Sequence, residues 1–198
     1  MSRLSLRCIR SFLVALGMLS AAASIAQQPH NYLAGNTVLI VRHAEKPATG
    51  TGLTPLGEAR AQAYAKYFVP FHEAEWSIRI DGLYAGADSE NSIRPRLTLE
   101  PLSQATGLPL HTDIGTKDPP ALVRQLTDKP HGSHPLIAWR HGEIPALLEA
   151  FGASPARLLP NSVWPDEVFD WVIVLTFDGE GRLVSQTLVH EHLKVSAP

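Results

Sequence analysis

Cysteine is almost absent. Cys8 is the only one in 198 residues, which excludes an intrachain disulfide framework and any cysteine metal site. An excess of positive charge is absent too, because 17 Lys and Arg face 19 Asp and Glu for a net charge of -2, and nothing biases the chain toward nucleic acid. Aromatic residues are few, at 7%, and Trp76, Trp164 and Trp171 are expected in core or rim packing rather than as a base-stacking platform. No apolar run reaches the ~20 residues that span a bilayer. What remains is a chain of 44% hydrophobic and 18% charged residues, the balance of a globular protein long enough to bury a sizeable core.

The apolar run from Phe12 to Ala23 follows Arg3, Arg7 and Arg10 and leads to Ser24 and Ala26, small residues spaced as at a signal-peptidase site. Residues 1–26 are therefore read as a signal peptide cleaved after Ala26, and residues 27–198 as one domain, periplasmic or secreted. Cleavage removes three arginines, Cys8 and no acid, which takes the net charge from -2 to -5. Cys8 precedes the apolar run, whereas a lipoprotein cysteine follows it, so no stable membrane anchor is expected.

Thr37 to Val41 is a continuous β-branched and apolar run, the pattern of a strand buried on both faces, and it ends abruptly in Arg42, His43, Glu45 and Lys46. Thr54 and Pro55 read as N-cap and first residue of a helix carrying Leu56, Ala59, Ala63 and Tyr67 at helical spacing. Asp81 to Ala85 predicts a short strand, Pro95 to Thr106 a helix closed by Gly107, Leu108 to Thr112 an extended piece, and Pro119 to Thr127 a helix. Pro135 to Trp139 repeats the buried-strand pattern and again stops at a polar cluster, Arg140, His141 and Glu143. Ile144 to Phe151 predicts a helix ended by Gly152. After a Pro-rich connection, Trp171–Phe177 and Arg182–His190 form a hairpin across Asp178-Gly179-Glu180-Gly181. Alternating strands and helices predict an α/β three-layer sandwich, with a mostly parallel central sheet, an antiparallel edge and helices on both faces.

If the two strands that end in Arg-His are neighbours in the sheet, two imidazoles and two guanidiniums share one cleft. Such a cleft suits a phosphoryl group, since the guanidinium fork pairs with phosphate oxygens, a neutral imidazole can attack phosphorus, and fixed positive charge favours the transition state. His131 with His134, and His190 with His192, are spaced like metal ligands but lack an accompanying carboxylate or cysteine cluster, and are read as loop and edge-strand residues.

These motifs resemble the histidine phosphatase superfamily, also called phosphoglycerate-mutase-like. The resemblance rests on Arg42-His43-Ala44-Glu45, followed by Leu53-Thr54-Pro55-Leu56-Gly57 and Ala59; on Ser92-Ile93-Arg94-Pro95 with Thr98, Pro101 and Leu102; on His141-Gly142 running into Ile144-Pro145-Ala146-Leu147-Leu148; and on Phe169-Asp170 before the late strand. It spans about Thr37 to Phe177. The segment Tyr84–Asn91 departs from the Ser-Ser-Pro pattern of many members.

The resemblance implies a phosphoglycerate-mutase-like fold and metal-independent hydrolysis of a phosphomonoester, with no cofactor and a phosphorylated small molecule as substrate. His43 is implied as the nucleophile that becomes phosphohistidine, Arg42 and Arg94 as holders of the phosphate oxygens, and His141 as the residue that completes the pocket. Arg94 is preferred to Arg96 because it has the family spacing to Thr98, while Arg140 is given a structural or rim role. Glu143 is the candidate proton donor, with Asp113 and Asp118 as alternatives, and Glu45 is expected to orient the Arg/His cluster. Export makes a mutase acting on cytoplasmic phosphoglycerates the poorer reading. The alternatives are a protein phosphohistidine phosphatase and a catalytically inactive phosphate- or anion-binding module of the same fold.

Overall fold

The computed structural model describes residues 30–73 and 75–197; the segment read as a signal peptide lies outside them. β1 (Thr37–Arg42) is buried almost throughout, and its side chains alternate between two cores. Val38 and Ile40 pack with Leu122, Leu126, Ile144 and Leu147, while Leu39 and Val41 pack with Tyr64, Phe68, Leu99 and Leu102. Period-two alternation with apolar residues at every position is what a strand covered on both faces requires.

The remaining elements are α1 (Pro55–Tyr67), β2 (Phe71–Glu73), β3 (Trp76–Ile78), β4 (Gly82–Ala85), α2 (Arg94–Thr106), β5 (Leu110–His111), α3 (Pro119–Asp128), β6 (Pro135–Trp139), α4 (Ile144–Ala150), α5 (Pro155–Leu158), β7 (Trp171–Phe177) and β8 (Leu183–His190). The six-stranded sheet has the order β5-β4-β6-β1-β7-β8. Its first four strands are mutually parallel, and β7 pairs antiparallel with both β1 and β8. With α1 and α2 on one face and α3, α4 and α5 on the other, the chain has the three-layer α/β architecture read from its sequence. The sequence pattern had not marked the separate β2–β3 hairpin, which is too short for a periodic signal, or the single turn of α5 inside the Pro-rich connection. Among the described residues no helix is long and apolar enough to cross a membrane.

Two local features position the site. Thr54 caps α1 by accepting from the Gly57 N–H at 3.1 Å, and Pro55 follows where a missing N–H costs nothing. Gly57 lies so close to the chain after β1 that a Cβ there would fall 2.6 Å from the Glu45 carbonyl oxygen, so only glycine lets α1 pack there. The second feature is topological. β1 and β6 are adjacent and parallel, yet the helices that follow them, α1 and α4, lie on opposite faces. The crevice at the carboxyl ends of such a strand pair is where open α/β sheets bind ligands.

Candidate active site

Strand β1 runs one residue beyond the apolar pattern, so Arg42 lies in the ladder opposite Trp139 and the His43 N–H donates to the Trp139 carbonyl at 2.9 Å. That register brings Arg42-His43 beside Arg140-His141. The two imidazoles are 6.3 Å apart between centroids, with planes at 76°.

His43 is 2% exposed, and its Nδ1 is 2.8 Å from the Ala44 carbonyl oxygen. A carbonyl only accepts, so Nδ1 carries the proton and Nε2 keeps its lone pair. Burial above all, joined by the charges of Arg42, Arg94 and His141, brings the His43 pKa down to about 3 against the opposing bond to Ala44. The imidazole is therefore neutral across the physiological range. The Ala44 N–H donates to Thr98 Oγ1 at 2.9 Å, and the Thr98 hydroxyl donates to the Arg94 carbonyl at 2.8 Å. A single side chain thus ties the histidine loop to the start of α2.

Arg94 opens α2, with the helix beginning one residue before Pro95. Its Nε donates to the Gly52 carbonyl at 3.0 Å, Nη2 to the Gly50 carbonyl at 2.6 Å and Nη1 to Ser92 Oγ at 3.1 Å. Its pKa is lowered by burial and by Arg140, whose charge is therefore felt at the site. Arg96 faces away and binds Asp88 and Glu100.

Arg42 is 1% exposed. One nitrogen, Nη1, donates to the carbonyls of Pro165, Asp166 and Val168 at 3.0, 2.6 and 3.0 Å, and the guanidinium lies 3.7 Å over the centre of the Phe169 ring. Nε and Nη2 are buried without a partner among the described residues. Burial lowers its pKa to about 10, against the acids Asp166, Glu45 and Glu167. His141 begins a 3₁₀ turn, and its Nε2 lies 2.5 Å from Asp166 Oδ1, while Nδ1 is buried without a partner among the described residues. Burial and Arg42 lower its pKa, against Asp166.

The carboxylates fall differently from the sequence expectations. The Glu143 side chain, half-buried at the N-cap of α4, makes no hydrogen bond or ion pair among the described residues. Asp118 caps α3 by accepting from the Ala121 N–H, and Asp113 is exposed in the preceding loop. Glu45 does not bond the Arg/His cluster. It takes a forked interaction from Arg60 on α1, at 2.8 to 3.1 Å, and Arg60 continues to Glu191, which also accepts from the Tyr64 hydroxyl at 2.6 Å. The residue missed in the sequence is Asp166. Its signal was positional, because β7 runs antiparallel to β1 with Val172 opposite Val41. The segment entering β7 must therefore pass over the carboxyl end of β1.

The histidines spaced like metal ligands are engaged elsewhere: His131 with the carbonyls of Leu126 and Gly132, His134 with Asp81 at 3.8 Å, His190 with the Trp171 indole N–H, and His192 with Glu73. Trp164 and Trp171 are buried against one another, and the Trp164 indole N–H donates to the Val168 carbonyl. Among the described residues no group of three or more His, Asp or Glu is placed to hold a metal ion. A groove of about 680 Å³ opens beside the cluster, lined by Glu45, Lys46, Arg60, Asp166, Phe169 and Glu191, among others.

No family model matches the sequence, and no curated protein matches it. Among solved structures, the chain is similar to a candidate phosphohistidine phosphatase, SixA, from Agrobacterium tumefaciens, at 17% identity over 77% of this chain and 97% of that one, with a TM-score of 0.49. A phosphoglycerate mutase from Plasmodium falciparum is similar at 19% identity over 80% and 94% of the two chains, with a TM-score of 0.48. The His-to-Ala mutant of a phosphoserine phosphatase from Entamoeba histolytica, solved with phosphoserine, is similar at 12% identity over 76% and 96%, also at 0.48.

Proposed function

We propose that the protein is a phosphatase that hydrolyses a phosphomonoester through a phosphohistidine formed on His43. The observation that carries this reading is the state of His43. It is a neutral imidazole with Nδ1–H tied to the Ala44 carbonyl, an Nε2 lone pair, and the charges of Arg42 and Arg94 and the His141 imidazole around it. In this reading Nε2 bonds to phosphorus as the ester P–O bond breaks, and water then cleaves the P–N bond to release phosphate. The two Arg42 donors that are buried without a partner among the described residues support it. A buried N–H left unpaired costs about 1–3 kcal/mol, and two phosphoryl oxygens would satisfy both with the bidentate geometry that guanidinium favours. Arg42 and Arg94 supply the fixed charge, so the proposed reaction uses no metal. The groove beside Asp166 takes the alcohol portion of the substrate. With residues 1–26 read as a signal peptide, that substrate is a phosphorylated small molecule met outside the cytoplasm.

The test is to incubate the protein and its His43→Ala variant with p-nitrophenyl phosphate and a panel of alkyl phosphates, quench at alkaline pH and weigh the intact chain. The expected result is turnover, with a transient mass increase of one phosphoryl group in the parent and neither in the variant. Turnover that survives His43→Ala would sink the mechanism, and binding of phosphate esters without turnover would indicate an anion-binding module instead.

A further inference from the structure

The proposed hydrolysis requires a group to protonate the leaving oxygen and then to deprotonate water, and the geometry points to Asp166 for both. The inference rests on the phosphohistidine reading above and adds to it the identity of the acid–base residue. Among the described residues, Asp166 is the only one whose side-chain carboxylate lies within ion-pair distance of Arg42, His43, Arg94 or His141. It is bound to the cluster at two points: its carbonyl oxygen accepts from Arg42 Nη1 at 2.6 Å, and its Oδ1 lies 2.5 Å from His141 Nε2. The flanking backbone is held by the Arg42 bonds to Pro165 and Val168, by Phe169 under the guanidinium and by the Trp164 indole on Val168. The carboxyl group nevertheless remains 63% exposed and lines the groove. A fixed backbone with a solvent-facing carboxyl is what a group that meets both an alcohol and a water needs.

The three acids that the sequence offered or that flank the first motif are placed differently. Glu45 is committed to Arg60 and Asp118 to the α3 cap, and among the described residues the Glu143 side chain makes no hydrogen bond or ion pair with the four cluster residues. Asp166 Oδ1 and His141 Nε2 lie 2.5 Å apart, so in the proposed cycle a proton can pass between the carboxyl and the imidazole. In the first step His43 Nε2 bonds to phosphorus, the P–O bond breaks with its electron pair on the leaving oxygen, and that oxygen takes the Asp166 proton. In the second step the Asp166 carboxylate removes a proton from water as the water oxygen bonds to phosphorus. The P–N pair returns to Nε2, and Asp166 is again protonated.

Asp166→Asn separates these roles from a positioning role. Its near-isosteric amide keeps the contact to His141, and thermal unfolding checks that the variant is folded. A good leaving group needs no proton, so the variant should form phosphoenzyme from p-nitrophenyl phosphate within about tenfold of the parent rate. The phosphoenzyme should then persist, giving a burst of about one nitrophenol per chain followed by slow turnover. On an alkyl phosphate the first step should fall about a hundredfold or more. Equal losses on both substrates would reduce Asp166 to a positioning residue and overturn the assignment. Unchanged turnover would also overturn it, as would increased turnover, which would mark Asp166 as an anion competing with phosphate for His141. A parent protein that forms no phosphoenzyme would instead remove the phosphohistidine reading itself.

Discussion

Arg94 and Arg96 are two residues apart and chemically identical, yet their surroundings separate them. The Arg94 guanidinium is held by Gly50, Gly52 and Ser92 in a buried position beside the histidine loop. That of Arg96 is 29% exposed and paired with Asp88 and Glu100. Exposed pairs of this kind contribute about 0–1 kcal/mol. Replacing Arg96 by Met should therefore leave kcat/KM for an aryl phosphate within about twofold, whereas Arg94→Met should lower it about a hundredfold or more, as the loss of one charged transition-state contact does. Steady-state kinetics of the two variants decide the matter, and similar losses would remove Arg94 from the phosphate-binding role. The sequence favoured Arg94 through its spacing to Thr98. The structure supplies the reason for that spacing, because one helical turn places the Thr98 hydroxyl against the Arg94 carbonyl.

At the scale of elements, the site depends on how closely α1 and α2 approach the chain leaving β1. Thr98 Oγ1 accepts from the Ala44 N–H at 2.9 Å with both groups fully buried. Thr98→Val keeps the shape but leaves that N–H without an acceptor. The expected cost is about 1–3 kcal/mol, measured by urea denaturation, with a fall in kcat because the histidine that Ala44 anchors loses its support. Gly57→Ala presses a methyl group onto the Glu45 carbonyl at 2.6 Å, which α1 can relieve only by moving away from the loop. A destabilisation of about 1–3 kcal/mol is expected from such overpacking. If both variants unfold at the parent midpoint, these contacts do not set the position of the loop. The capping Thr54, Pro55 and Gly57 were legible in the sequence as the start of a helix. That Gly57 also serves a close approach to Glu45 was not, because the partner lies in another element.

At the scale of the molecule, two buried groups oppose each other across the acidic range. Burial pushes the Glu191 carboxyl up to about 7 from an ordinary 4.5, against the pull of Tyr64 and Arg60. The folded protein then keeps a proton that the unfolded chain releases, so this contribution to stability is complete below pH 4.5 and is lost as pH rises to 7. His43 is held at about 3 against an ordinary 6.5, so its contribution is complete above pH 6.5 and is lost as pH falls. Between pH 4.5 and 6.5 the two slopes, each at most about 1.4 kcal/mol per pH unit, cancel in part. Glu191→Gln should therefore lose stability as pH falls from 6.5 to 4.5, and His43→Asn should gain it, in denaturant titrations at stepped pH. Curves parallel to the parent would show that neither group titrates as its burial requires. By itself the sequence determined the two buried strands, their terminal Arg-His pairs, the capped helices and the late hairpin, because apolar periodicity and capping chemistry are local. Only the tertiary structure decided which carboxylate meets the cluster. Glu143 is only two residues from His141 in sequence but sits at the N-cap position of α4, whereas Asp166 is remote in sequence and is carried to His141 by the antiparallel pairing of β7 with β1. Glu45 likewise became a partner of Arg60 because α1 packs across the end of β1. Contacts of this kind depend on sheet order and helix packing, which no short stretch of sequence encodes.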